Sequence, residues 1–217
     1  MFGYFFDDAA EVLANPRGDV IIADGRNHVE LTDERYDVIV TDPPPPISSA
    51  GVSVISSYEY YLAGRARLSD GGVMMQWMPR GQSIEEFRAH IRSFDRAFPH
   101  AIVMYGPGQH GYLLLGSEAA LELREGPMRS VLARPGVLED LGAASDSPAA
   151  TADEWIEVIR SLVLVEGHEV MRLAGDGPLI TDDRPLPEYF ALRRYLGPAV
   201  PAETPERVRA LAGALRP

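Results

Sequence analysis

The run Tyr36-Asp37-Val38-Ile39-Val40-Thr41-Asp42, closed by the prolines Pro43 to Pro46, constrains the fold of this chain more than any other stretch. Proline lacks the backbone donor that a ladder needs, so the strand must stop where the prolines begin. The β-branched residues before it predict a parallel strand that is apolar and buried on both faces. Asp42 then stands at the strand's carboxyl end. In open α/β sheets that rim forms the ligand crevice. A carboxylate in that place either meets a ligand or caps the turn, and the residues alone allow both.

The flanking segments extend the pattern. Asp7 to Leu13 has helical character before Asn15-Pro16, and Asp19 to Ala23 reads as another short strand, ending at Asp24-Gly25-Arg26. Gly25 permits close backbone approach of a ligand, and Asp24 can accept hydrogen bonds from one. Asp24 reads equally well as the N-cap of a short helix leading through Asn27 to Asp33. Ser48 to Ser57, rich in small hydroxyl residues, predicts a mobile loop over the crevice. Tyr58 to Leu68 predicts a helix with Tyr61, Leu62, Ala66 and Leu68 on or near one face, a spacing that ordinarily serves core packing. Asp70-Gly71-Gly72 marks a turn and Val73 to Met78 a strand. Ser83 to Phe98 is a helix opened by a capping box, Ser83 with Glu86. Ala101 to Tyr105 and Tyr112 to Leu115 predict an antiparallel hairpin.

Beyond Ser117 the strand signals cease. Helical stretches at Met128 to Ala133, Ala152 to Leu164 and Val170 to Ala174 alternate with loops, of which Gly142 to Ala152 is the most flexible in character. Glu203 to Leu215 forms a last amphipathic helix or frays. Leu179 to Tyr189 is dense in charge for a stretch flanked by apolar residues and reads as a salt-bridged loop docking the tail onto the sheet, or else as a catalytic segment. The expected architecture is α/β: a partial Rossmann-like domain over 1–117 and a helical C-terminal appendage over 118–217.

Composition excludes several functions. A net charge of −12 over 217 residues repels nucleic acid and anionic membrane surfaces, and it suits a small cationic substrate. Cysteine is absent and all 20 basic residues are arginine, which removes thiolate chemistry, Schiff-base lysines and a P-loop lysine. His28, His90, His100, His110 and His168 are dispersed without paired ligand spacing, so no metal site is expected and each reads as a surface or capping residue. No Gly-x-Ser-x-Gly elbow supports a hydrolase. No apolar run approaches the roughly 18 residues of a membrane span, and the N-terminus lacks signal-peptide character. The expected location is cytoplasmic.

Three separated segments coincide with one family. Ile22-Ala23-Asp24-Gly25-Arg26-Asn27, Tyr36 to Pro43, and Ser57-Tyr58-Glu59-Tyr60-Tyr61 with Leu68 to Val73 and Gln76 resemble the spermidine synthase (polyamine aminopropyltransferase) family. The bacterial spermidine-synthase-like branch, whose members often carry a transporter-like membrane portion upstream, is the closer likeness, and Thr181 to Pro185 with Glu188-Tyr189 is similar to its C-terminal signature. The resemblance implies a Rossmann-like S-adenosylmethionine-dependent methyltransferase fold and aminopropyl transfer from decarboxylated S-adenosylmethionine to an amine. The donor would be a co-substrate, with no tightly bound cofactor. It implies that Asp24 and Gly25 lie against the donor's adenine, that Asp42 is the catalytic carboxylate, and that Tyr61 and Gln76 contact substrate. Partners would be a small cationic amine and, for assembly, a second copy or a complementing chain, with membrane association only through an upstream portion. Two departures stand out. Pro45 occupies the position where the family carries a second acid, and the family's glycine-rich first turn has no counterpart, so the chain reads as N-terminally truncated. A methyltransferase using ordinary S-adenosylmethionine and a non-catalytic remnant or interaction module are the competing expectations.

Overall fold

The computed structural model describes residues 9–43, 51, 53–106, 108, 110–145, 147–189, 196 and 201–215. They fall into two compact units divided between Thr32 and Asp33.

The first unit holds α1 (Ala9–Leu13) and α2 (Gly25–Leu31). Asp24 is the N-cap of α2, with extended backbone and a carboxylate that accepts from the Asn27 N–H at 2.9 Å. Arg26 and Glu30 form an i,i+4 pair at 2.7 Å. The strand expected over Asp19 to Ala23 is not formed, and Ile22 is 99% exposed. A strand exists only through pairing, and none of the described residues of this unit is in a strand that could supply it.

The second unit is built on β1 (Tyr36–Thr41), α3 (Tyr58–Ala66), β2 (Leu68–Met78), α4 (Ile84–Ala97), β3 (His100–Tyr105) and β4 (Tyr112–Ser117). Then follow α5 (Glu125–Leu132), α6 (Val137–Ala143), α7 (Ala152–Leu162), β5 (Val163–Glu166), α8 (His168–Ala174), a 3-10 turn at Leu186–Tyr189 and α9 (Pro205–Gly213). The five-stranded sheet has the order β1-β2-β4-β3-β5. β1 is parallel to β2, while β4 runs antiparallel to both β2 and β3. Strands β1, β2 and β3 therefore point the same way, joined by α3 and α4, with the predicted hairpin returning β4 between β2 and β3. This is an α/β, Rossmann-like arrangement.

Helices α3 and α4 cover one face. Ser83 and Glu86 form both halves of the expected capping box on α4, and Phe87, Ile91 and Phe94 are buried. Phe94 packs against Phe98 at 4.7 Å and edge-on against Tyr61 at 4.9 Å between ring centres. Close approach is set by small residues: a Cβ at Gly64 of α3 would stand 2.6 Å from the Met74 sulfur of β2.

Three expectations are corrected. β1 is an end strand of the described sheet rather than a strand buried on both faces. Ile39 and Thr41 are buried, but Val38 is 61% and Val40 57% exposed on the opposite face. Two-sided burial needs a layer over each face, and one face of β1 is bare. Asp70-Gly71-Gly72 lies inside β2 as a bulge, with Gly71 at φ +76° and a register slip between Tyr36 and Val38. Strands do not end at Ser117: α7 stops at Leu162, and Val163–Glu166 pairs antiparallel with β3. Four residues are too few for a periodic signal.

Elsewhere the tail is helical. α5, α6 and α7 share a small core of Leu132, Trp155 and Ile156, and α7 opens with a second capping box, Thr151 with Glu154. Among the described residues, the segment after α8 docks through hydrogen bonds to α3, α4 and the turn before α3, not through the expected salt bridges onto the sheet. Ile180 N–H donates to Ser93 Oγ at 2.8 Å, Tyr58 N–H to the Ile180 carbonyl at 2.9 Å, and Ser53 Oγ to the Glu188 carboxylate at 2.6 Å. No helix among the described residues is long and apolar enough to cross a membrane.

Candidate active site

Parallel register places Thr41 of β1 beside Gln76 of β2, so the carboxyl ends of the two strands open on one rim. Asp42 follows immediately and is exposed, while Pro43 after it is buried. Buried Thr41 fixes the strand end, its hydroxyl 2.9 Å from the Tyr60 hydroxyl of α3. Ser57 caps α3 by accepting from the Tyr60 N–H at 3.2 Å. Asp42 is thus a solvent-facing carboxylate on a strand end whose other side is locked to a helix.

Gln76 and Tyr61 lie behind that rim. Gln76 is 1% exposed; its Nε2 donates to the Trp77 carbonyl at 3.0 Å, and its Oε1 has no partner among the described residues. Tyr61 is wholly buried and its hydroxyl likewise lacks a well-formed hydrogen bond there. Burial pushes the Tyr61 phenol up, opposed in part by the neighbouring Ser56 side chain. Its ring is a core element, as the helical spacing suggested, whereas Leu62 and Ala66 are exposed.

The structure does not gather all the predicted site residues into one unit. Asp42, Tyr61 and Gln76 belong to the sheet unit, Asp24 and Gly25 to the other. For Asp24 the observed geometry is that of the helix cap. Gly25 is the first residue of α2, and a Cβ there would meet no atom of the chain within 4 Å. Pro45 and part of the Ser48–Ser57 loop, residues 48–50 and 52, fall outside the described residues.

The rest of the rim carries no local sequence signal. The loop after β2 carries exposed Arg80, and Trp77 Nε1 donates to the His110 carbonyl at 2.9 Å. Tyr105 and Tyr112 stack at 5.3 Å, and the Tyr112 hydroxyl donates to Glu203. Burial first, then the Glu203 hydrogen bond, pushes the Tyr112 phenol up, so it stays protonated and donates. Tyr112 and Glu203 are 91 positions apart, which no local pattern reveals.

An exposed strand-end carboxylate beside buried amide and phenol groups suits binding and deprotonation of an amine. The chain is 26% identical over 125 residues to the polyamine aminopropyltransferase of Thermococcus kodakarensis, covering 52% of this chain and 43% of that protein. It is 38% identical over 61 residues to polyamine aminopropyltransferase 1 of Pseudomonas aeruginosa, 28% of this chain and 21% of that one. The chain is similar in sequence to polyamine aminopropyltransferases. Spermidine synthase from Thermotoga maritima superposes with a TM-score of 0.46 at 19% identity, covering 70% of this chain and 56% of that one. A spermidine synthase in complex with the transition state analogue AdoDATO gives 0.46 at 18% identity, covering 71% and 54%. No family model matches. The chain spans less than half the length of the curated relatives it matches.

Proposed function

We propose that the chain carries the catalytic rim of an aminopropyltransferase acting in the cytoplasm on a small amine, with decarboxylated S-adenosylmethionine as donor. The observation that carries this reading is Asp42, exposed at the carboxyl end of a parallel strand and held by the Thr41–Tyr60 contact. In the reaction the amine nitrogen attacks the aminopropyl carbon next to the sulfonium. The C–N bond forms as the C–S bond breaks, the electron pair returns to sulfur, and methylthioadenosine leaves as a neutral thioether. The nitrogen must shed one proton, and Asp42 takes it while orienting the amine. Tyr61 and Gln76 are assigned to the substrate side, where their unpartnered buried atoms offer polar contacts. Asp24 and Gly25 are assigned to the donor's adenine. The net charge of −12 favours the approach of a cationic donor and a cationic acceptor.

The test is Asp42→Asn, which keeps size and one acceptor oxygen but cannot take the proton. Turnover should fall by about 10²–10⁴-fold, the range of general-base contributions, with donor affinity little changed. Turnover within about threefold of the parent in a folded protein would make Asp42 a turn residue. Product analysis separates the two donor chemistries, since ordinary S-adenosylmethionine used for methylation leaves S-adenosylhomocysteine instead of methylthioadenosine.

A further inference from the structure

We propose that Glu203 is a positioning residue that clamps the loop after β2 against the carboxyl rim, and so fixes the border of the amine site beside Asp42. The role in transfer rests on the reading above, whereas the clamp itself does not.

Glu203 is 4% exposed. Both of its carboxylate oxygens are engaged at the rim. Oε1 accepts from the Tyr112 hydroxyl, at the start of β4, and Oε2 accepts from the Gly81 N–H at 3.0 Å. Its own N–H donates to the Gln82 carbonyl at 2.8 Å, and Ile84 N–H donates to the Pro201 carbonyl at 3.0 Å. Ser83 and Ala202 form an antiparallel bridge between these contacts. Two residues on, the Pro205 carbonyl accepts from the Tyr105 hydroxyl at 3.0 Å, and the Arg209 guanidinium lies 5.0 Å over the Tyr105 ring. A segment from near the end of the chain therefore behaves as an extra short strand laid along residues 81–84, immediately past the strand end that neighbours Asp42.

Gly81 has φ +91°, which glycine adopts without strain, so the order of this loop comes from its contacts. The Gly81 N–H would otherwise face water, and the Glu203 carboxylate is the group that orders it. Loosening the loop frees Arg80 and the backbone beside Trp77 to move at the rim. The expected consequence is weaker amine capture with little change in the chemical step, because Asp42 stands on a different strand.

Two tryptophans occur in the chain, and Trp155→Phe leaves Trp77, next to the rim, as the sole tryptophan, excited selectively beyond the tyrosine band. Trp155 lies in the α5–α7 cluster and its Nε1 has no partner among the described residues, so the replacement breaks no described hydrogen bond. In that background Glu203→Ala should raise acrylamide quenching of Trp77 about twofold or more, as a loop released from tertiary contacts does. Glu203→Gln should match the parent, because its amide oxygen can accept from Gly81 while its amide N–H₂ donates to Tyr112. With donor and amine supplied, Glu203→Ala should raise the amine KM about tenfold and leave kcat within about threefold. Quenching in Glu203→Ala equal to that of the parent, or Glu203→Gln as perturbed as Glu203→Ala, would overturn the clamp. If Glu203→Ala does not fold, Tyr112→Phe removes one of the two contacts and must raise the quenching, and no rise there overturns the clamp as well. A chain that transfers nothing, yet shows the quenching pattern, would refute the transfer reading and leave the clamp standing.

Discussion

His90 lies in the middle of α4, fully buried, with both ring nitrogens lacking hydrogen-bond partners among the described residues. The sequence suggested a surface or capping histidine, because dispersed histidines usually are. Helical spacing from Phe87, Ile91 and Phe94 did not single it out, since one polar residue on an apolar face changes the pattern little. Burial pulls its pKa down to about 4 from 6.5. Between those two values the unfolded chain binds a proton that the native protein refuses, so stability falls as pH drops from about 6.5 towards 4 and then levels off. A shift of that size corresponds to about 3 kcal/mol at most. Asp95, also on α4, has its carboxyl pushed up by burial and works in the opposite sense on acidification. The informative quantity is therefore a difference between variants. Urea unfolding of the parent and of His90→Leu at pH 7.5 and 4.5 should show a clearly smaller acid loss in the variant. Equal losses would mean that the imidazole finds a proton acceptor or water in the native state.

At the level of elements, the connection from β3 to β4 depends on Gly111. Its φ is +97°, and a Cβ there would stand 2.5 Å from the Met78 carbonyl and 2.6 Å from Trp77 Nε1. Backbone cannot yield as a flexible side chain can. Gly111→Ala should therefore cost about 2 kcal/mol or more and lower the melting temperature by several degrees. A thermal midpoint equal to the parent's would show that the hairpin end relaxes freely. The hairpin and the α4 cap were legible in the sequence because their signals are local: turn residues between two β-rich runs, and Ser83 three positions before Glu86. What the sequence missed depends on partners. Val20-Ile21-Ile22 has the residues of a strand and no strand beside it in its unit. Val163–Glu166 looks like the end of a helix until β3 offers an edge to pair with. The candidate site divides in the same way. Asp42 was legible from the proline wall after it, whereas Glu203 reaches the rim only through tertiary contacts.

Across the sheet, the order β1-β2-β4-β3-β5 ranks how much backbone each strand has committed. β4 is hydrogen-bonded on both sides, by β2 and β3, and its residues Tyr112 and Leu114 are wholly buried. β1 is paired on one side, and Val38 and Val40 stand more than half exposed on its bare face. An end strand with an apolar face is both the easiest part of a sheet to open and the part most prone to pair with another chain. Native-state hydrogen exchange separates these behaviours. In dilute protein the amides of Leu113 to Leu115 should exchange slowest, near the rate set by global unfolding. The amides of Val38 to Val40 should exchange much faster, the ones pointing away from β2 fastest. Protection of β1 that grows with protein concentration would mean that the edge is occupied by a second copy. Protection equal to that of β4 at every concentration would contradict the end-strand assignment, because it would require a permanent backbone partner along β1. That outcome would also bear on Asp42, since a strand laid against β1 would run directly past its carboxylate and close the rim from the side opposite the Glu203 clamp.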